Sequence, residues 1–200
     1  MTIALRYTVR SDVGLLREGN EDSAYAGPHL LAIADGMGGH AAGEVASAVA
    51  ISTLAPLDAD TDGVDMLKAL SDAIVAANEE LKRITIAEPA TEGMGTTLTA
   101  LLWSGDTAAL CHIGDSRGYL LRDGELQQIT HDHTLVQSLV DEGRLTPEAA
   151  ASHPQRSLVM RALQSSIPAD PDLVILQARV GDRYLLCSDG LSDVVSNDTL

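Results

Sequence analysis

The chain has 200 residues and 45% hydrophobic content, enough apolar side chains for one domain with a real core. A formal net charge of −16 and a pI near 4.5 argue against nucleic acid or anionic lipid as a main partner, because either needs a basic face. No stretch approaches the roughly 18 consecutive apolar residues of a membrane span, and Met1–Thr8 lacks a secretory leader pattern, so a cytoplasmic location is expected.

Ile3 to Val9 alternates well enough to predict an opening strand, and Ser11–Asp12–Val13–Gly14 reads as a turn. A charged loop, Arg17 to Asp22, leads to the apolar strand that ends in Asp35–Gly36. The glycines of Gly36–Met37–Gly38–Gly39–His40 exclude a regular element there. Ala41 to Leu54 is Ala-rich and helical, stopped by Pro56, and Val64 to Ile84 carries Leu67, Leu70, Ile74, Val75 and Leu81 at helical spacing. Strands follow at Thr97–Trp103 and Thr107–Ile113, then a hairpin of Tyr119–Arg122 and Glu125–Ile129 around Asp123–Gly124. Leu135 to Glu142 and Thr146 to Ala151 read as short helices, the second with Thr146 as cap and Pro147 in its first position. Leu173 to Val180 and Asp182 to Ser188 read as another strand pair. Strands joined by short turns, with helices inserted together, predict antiparallel sheets with helices outside, an α+β class.

Three apolar strands end on an aspartate beside a glycine, at Ala34–Asp35–Gly36, Ile113–Gly114–Asp115 and Ser188–Asp189–Gly190. A buried strand delivers the carboxylate at its end rigidly to the rim of a sheet. One such pair is a turn; Asp123–Gly124, between Arg122 and Glu125, is that case and receives no chemistry. Three, far apart in sequence, predict a cluster of hard oxygen ligands suited to Mg²⁺ or Mn²⁺. Two dications about 4 Å apart can bridge a water, lower its pKa and clamp an in-line displacement at phosphorus. Arg17 is placed to grip phosphate oxygens bidentately. Cys111 and Cys187 sit inside apolar strands and read as buried, reduced thiols. His131–Asp132–His133 lacks further soft ligands for zinc and reads as a polar loop, with Thr134 or Asp132 capping the next helix.

Arg17-x-x-Asn20–Glu21–Asp22, Ala34–Asp35–Gly36–Met37–Gly38–Gly39–His40, Gly95–Thr96–Thr97, Ile113–Gly114–Asp115–Ser116–Arg117 and Cys187–Ser188–Asp189–Gly190–Leu191 occur in that order. Together they resemble the metal-dependent serine/threonine protein phosphatases of type 2C in their bacterial form. Ser152 to Leu163, with the Gly36–Gly43 loop, resembles the actinobacterial branch that opposes membrane-bound serine/threonine kinases. The resemblance implies a four-layer α-β-β-α sandwich, two stacked antiparallel sheets flanked by helix pairs, with the site between the sheets at one end. It implies that Asp35 bridges two catalytic Mn²⁺ or Mg²⁺ ions, that Gly36 binds one through its carbonyl and that Asp189 ligates one. It further implies Asp115, with Ser157, at a third ion, Arg17 on the substrate phosphate, and Glu21 and Asp22 acting through water.

Two departures stand out. Met37 occupies the position where the animal enzymes carry a histidine proposed as general acid; His40 or water takes that role here. The family's last motif, a glycine-rich segment with an aspartate followed by asparagine, lies past Leu200. Residues 1–200 are therefore expected to be one catalytic domain without its C-terminal metal-binding segment, and a membrane tether beyond it stays open. The expected activity is hydrolysis of phosphoserine and phosphothreonine on proteins, kinases included. The competing expectation is a phosphoprotein-binding signalling module with weak or no activity.

Overall fold

A computed structural model of the chain describes residues 3–15, 17–59, 63–196 and 199–200, the side chains at 40 and 41 excepted. In chain order it forms β1 (Asp22–Ala26), β2 (Leu30–Met37), α1 (His40–Leu54), α2 (Met66–Ala87), β3 (Gly95–Thr96), β4 (Leu98–Ser104) and β5 (Thr107–Ile113). Then come β6 (Arg117–Arg122), β7 (Glu125–Gln128), α3 (Leu135–Asp141), α4 (Pro147–Ala151), β8 (Leu163–Gln164), β9 (Asp172–Gln177), β10 (Arg183–Cys187) and α5 (Asp189–Ser192). The larger sheet runs β8-β3-β2-β4-β5-β9, with β1 pairing β2; the smaller runs β10-β6-β7, and the ladders are antiparallel throughout.

The period-two alternation of the central strands sorts their side chains onto two faces. Leu30, Ala32 and Ala34 of β2, Leu98, Ala100 and Leu102 of β4, and Ala109, Cys111 and Ile113 of β5 pack with α1 and α2 in the main core. Small residues on α1 (Ala42, Ala46, Ser47 and Ala50, all buried) let that helix sit close to β2. The opposite face presents Leu101, Trp103, Ala108 and Leu110, with Leu31, Leu176, Tyr184 and Leu186 packed against them. The sheets therefore stack, and the Trp103 and Tyr184 rings meet edge to face at 5.5 Å across the join. Among the described residues no helix is long and apolar enough to cross a membrane.

Four expectations change. The Gly36–His40 segment is not free of regular structure: β3 supplies a partner edge, so β2 runs on through Gly36 and Met37, opposite Thr96 and Gly95, and α1 starts at His40. Ile3–Val9 makes no ladder: alternation supplies a face but not a partner edge, and Leu5 packs between the sheets while Tyr7 and Val9 stay exposed. The strands Leu173–Val180 and Asp182–Ser188 are not a hairpin, because β9 pairs β5 and β10 pairs β6. The turn between them, with Gly181 at φ +100°, carries the chain from one sheet to the other, so Leu176 faces Tyr184 and Leu186 across the apolar join instead of beside them in a ladder. Strand β1, unforeseen, starts at Asp22, the last residue of the predicted charged loop, and runs on to Ala26. The predicted Asp123–Gly124 hairpin is present, with positive φ at both positions (54° and 86°).

Candidate metal centre

The register of the first two strands places Asp22 directly opposite Asp35. Residues opposed in an antiparallel pair project to one face with Cβ atoms about 5 Å apart, and like charges there repel. Beyond Leu31 and Ile33, Asp35 is the next side chain on the face of β2 turned to the smaller sheet. Its carboxyl lies between Asp22 on one side and Asp189 on the other, close enough for both to act on it, and Asp115 is also near enough to do so. Burial, then the charges of Asp189 and Asp22, push the Asp35 carboxyl up to about 8. Asp115 is pushed up to about 6, first by burial and then by Asp189. Asp22 is raised by burial, against which a bond from Ser188 and the charge of Arg17 pull down. So the structure brings Asp22, Asp35, Asp115 and Asp189 together and sets exposed Arg17 within electrostatic reach.

The main chain around Asp35 is fixed by hydroxyls. The β2–β3–β4 register runs unbroken from Leu30↔Leu102 to Met37↔Gly95 on either side of Asp35, which faces Thr97. There the Asp35 N–H donates to Thr97 Oγ1 (3.0 Å) while Asp35 O accepts from Thr97 N–H (2.9 Å). Thr96 Oγ1 also lies 2.9 Å from Asp35 O, and Thr97 Oγ1 lies 2.7 Å from Ser116 Oγ. Thr96, Thr97 and Ser116 are fully buried polar residues that the sequence reading quoted within motifs but gave no role. Thr96 directly after Gly95 and Ser116 directly after Asp115 were the available signal.

Glu21 is held by α1. Its carbonyl accepts from Ser47 Oγ (2.6 Å) and from the Gly36 N–H (3.2 Å), and its carboxylate lies over Gly43. A Cβ at Gly36 would run into the Gly43 carbonyl, so two glycines in contact let helix, turn and strand end meet here. Ser157 is exposed and lines a cavity of about 520 Å³ together with Asp115 and Asp189, between the smaller sheet and the α3–α4 pair. The His40 side chain lies outside the described residues. Thr134 caps α3 through a 3.2 Å bond from Gln137 N–H, as foreseen, while Asp132 pairs with Arg117 at 2.7 Å instead of capping.

Whether this donor set suits dications follows from its chemistry. Among the described residues no group of three or more His, Cys, Asp or Glu side chains is gathered closely enough to hold a metal ion by itself. Mg²⁺-type ions keep several waters and bind through one or two carboxylates, so they do not need an all-protein cage. Asp189 pushes up the carboxyls of Asp22, Asp35 and Asp115, with Arg17 near Asp22 and with Arg117 and Arg156 on the cavity beside Asp115 and Asp189, so the acidic side chains make a pocket that dications would neutralise.

The protein phosphatase 2C family profile matches residues 20–200, and the chain belongs to this family. It is similar to the serine/threonine protein phosphatase PstP of Mycobacterium tuberculosis, at 62% identity over 200 residues, all of this chain and 39% of that protein. The chain thus spans about two fifths of the length of such relatives. It is 36% identical to the serine/threonine phosphatase stp of Listeria monocytogenes over 93% of this chain and 77% of that one. The crystal structure of M. tuberculosis PstP matches with a TM-score of 0.95 at 62% identity, covering 98% of this chain and 83% of that one. A structure of the PstP catalytic domain in complex with two manganese ions matches with a TM-score of 0.91 at 60% identity, covering 98% and 82%.

Proposed function

We propose that this chain carries the catalytic site of a serine/threonine protein phosphatase, hydrolysing phosphoserine and phosphothreonine monoesters with two bound Mn²⁺ or Mg²⁺ ions. The observation that supports it best is the Asp22↔Asp35 pairing with Asp189 and Asp115 both acting on Asp35, four carboxyl groups drawn to one acidic point. Bound dications would supply a low-pKa water nucleophile and neutralise phosphate charge. Asp35 and Asp189 would hold them, with the Gly36 carbonyl beside Asp35; Asp115 and Ser157, on the shared cavity, would hold a third. Glu21 and Asp22 would orient water, and Arg17 would bind the substrate's non-bridging oxygens. The His40 imidazole or water would protonate the leaving alkoxide.

Neither cysteine competes as nucleophile. Burial pushes the Cys111 thiol up to about 12 and the Cys187 thiol up to about 11, leaving almost no thiolate near neutrality. Substrates would be phosphorylated proteins, serine/threonine kinases among them, in the cytoplasm. Phosphate release from a phosphothreonine peptide, measured with Mn²⁺ and with chelator, tests the reading. Mn²⁺-dependent release is the expected result. Tight Mn²⁺ binding without release would instead identify a phosphoprotein-binding module.

A further inference from the structure

We propose that His133 is a positioning residue of the metal centre: its imidazole clamps the Gly114–Asp115 turn and ties that turn to the base of the α3–α4 excursion. The inference rests on reading Asp115 as part of the centre. Gly114 takes φ +112°, and a Cβ there would come within 2.6 Å of Thr97 Cβ. The turn that presents Asp115 therefore has no side chain of its own at this point to anchor it. Both polar groups of Gly114 go to one residue instead: its carbonyl accepts from His133 N–H (2.8 Å) and its N–H donates to His133 Nδ1 (3.1 Å).

That second bond sets the ring state that the clamp requires. A backbone N–H only donates, so Nδ1 must offer a lone pair and the ring proton sits on Nε2. Nε2 has its acceptor, Asp172 Oδ2 at 3.1 Å on β9. Arg161 holds Asp172 Oδ1 (3.0 Å) and also donates to the Asp170 carbonyl. Its Nη1 lies 2.8 Å from that same Nε2; a guanidinium can only donate, so Arg161 contends with the ring proton there, and its positive charge opposes a second ring proton. Burial acts in the same direction and is the larger effect. The carboxylate therefore orients an imidazole whose far nitrogen orients the main chain next to Asp115, the logic of outer-shell support.

The same residue is where the two legs of the excursion close. His133 O accepts from Met160 N–H (2.7 Å), Thr134 bridges Val159, and Leu135 N–H donates to Leu158 O (3.0 Å). Between these legs run α3, α4 and Ser157, which faces Asp115 across the cavity. A shift of the helix pair relative to β5 must act on His133, and through it on Gly114.

Three variants test this: His133→Leu, which removes both ring nitrogens; His133→Asn, whose Oδ1 can stand where Nδ1 stood; and Asp172→Ala, which removes the Nε2 acceptor. Nitrogen-15 spectra of the parent imidazole near neutral pH are expected to show Nδ1 bare and Nε2 protonated. The Gly114 amide is expected to exchange slowly, and to lose that protection in His133→Leu and Asp172→Ala. By calorimetry, folded His133→Leu is expected to bind Mn²⁺ about tenfold or more weakly, with His133→Asn restoring affinity to within about threefold of the parent. A proton on Nδ1, or a folded His133→Leu that keeps Gly114 protection and parental Mn²⁺ affinity, would overturn the proposal. If His133→Leu does not fold, Asp172→Ala decides: unchanged Gly114 protection there also overturns it. A parent chain without phosphatase activity would sink the proposed function, while the ring and amide measurements would still judge the clamp.

Discussion

Ser188 Oγ donates a 2.7 Å hydrogen bond to Asp22 Oδ2, joining the end of the smaller sheet to the first strand of the larger one. Ser188 is also the N-cap of α5, yet its side chain makes no capping bond, because the hydroxyl proton is committed to Asp22. The contact is thus inter-sheet cement beside Asp189 rather than helix chemistry. Ser188→Ala should cost about 1.5–3 kcal/mol of stability, the usual range for a bond to a charged acceptor. It should also weaken Mn²⁺ binding, since Asp22 and Asp189 lose their common tether. Denaturant unfolding and calorimetry check the two effects separately.

Asp35→Asn should have opposite consequences with and without metal. Burial against Asp22 and Asp189 raises the Asp35 carboxyl to about 8, so near neutrality the metal-free fold must take up a proton that the unfolded chain does not carry, and this opposes folding. The amide keeps the shape and does not titrate. Thermal unfolding without metal should therefore occur at higher temperature in the variant than in the parent. Mn²⁺ should raise the parent's midpoint strongly and the variant's little, by mass action. Phosphate release should fall to background. A variant less stable than the parent in chelator would contradict the electrostatic account.

The sheets and the acidic strand ends were legible because both rest on local signals. Apolar runs such as Leu30–Ala34 and Ala109–Ile113 appear as buried strands, and each ends in the aspartate that the site uses. What stayed hidden depends on pairing between distant segments. Strand β1 has only five half-buried residues, and nothing local shows that Asp22 lies opposite Asp35. The roles of Thr97, Ser116, Ser188 and His133 arise from hydrogen bonds spanning 19 to 166 positions, as in Thr97–Ser116 and Ser188–Asp22. The loop His131–Asp132–His133 looked merely polar because burial of its last residue comes from Asp172 and Arg161, on segments far downstream.

Gly43→Ala probes the seat of Glu21. An added methyl meets the Glu21 carboxylate and comes within 2.9 Å of the Gly36 carbonyl carbon. The carboxylate can swing away, but the main chain at Gly36 can move only with β2. The expected result is a folded protein, since alanine suits helix α1, with reduced Mn²⁺ affinity and phosphate release. Circular dichroism and calorimetry together check it; unchanged affinity would remove Gly43 from the architecture of the site.

His112 makes stability depend on pH from inside the core. It is essentially fully buried on β5, with Nδ1 2.9 Å from Thr99 Oγ1 and Nε2 3.0 Å from His131 O. Burial first, and then the neighbouring His133, push its pKa from 6.5 down to about 4; the bond to His131 O pulls upward, but by less. The folded ring is thus neutral where the unfolded ring begins to charge. Above the unfolded pKa the contribution to stability is fully present. As pH falls from 6.5 toward about 4 the unfolded chain takes up a proton that the fold refuses, and stability drains by up to about 3 kcal/mol. Below about 4 the folded ring protonates too and this loss stops. His112→Gln cannot titrate and should show a smaller difference in unfolding free energy between neutral pH and about pH 5 than the parent does. Identical pH dependence in parent and variant would mean that His112 is not held neutral by its surroundings.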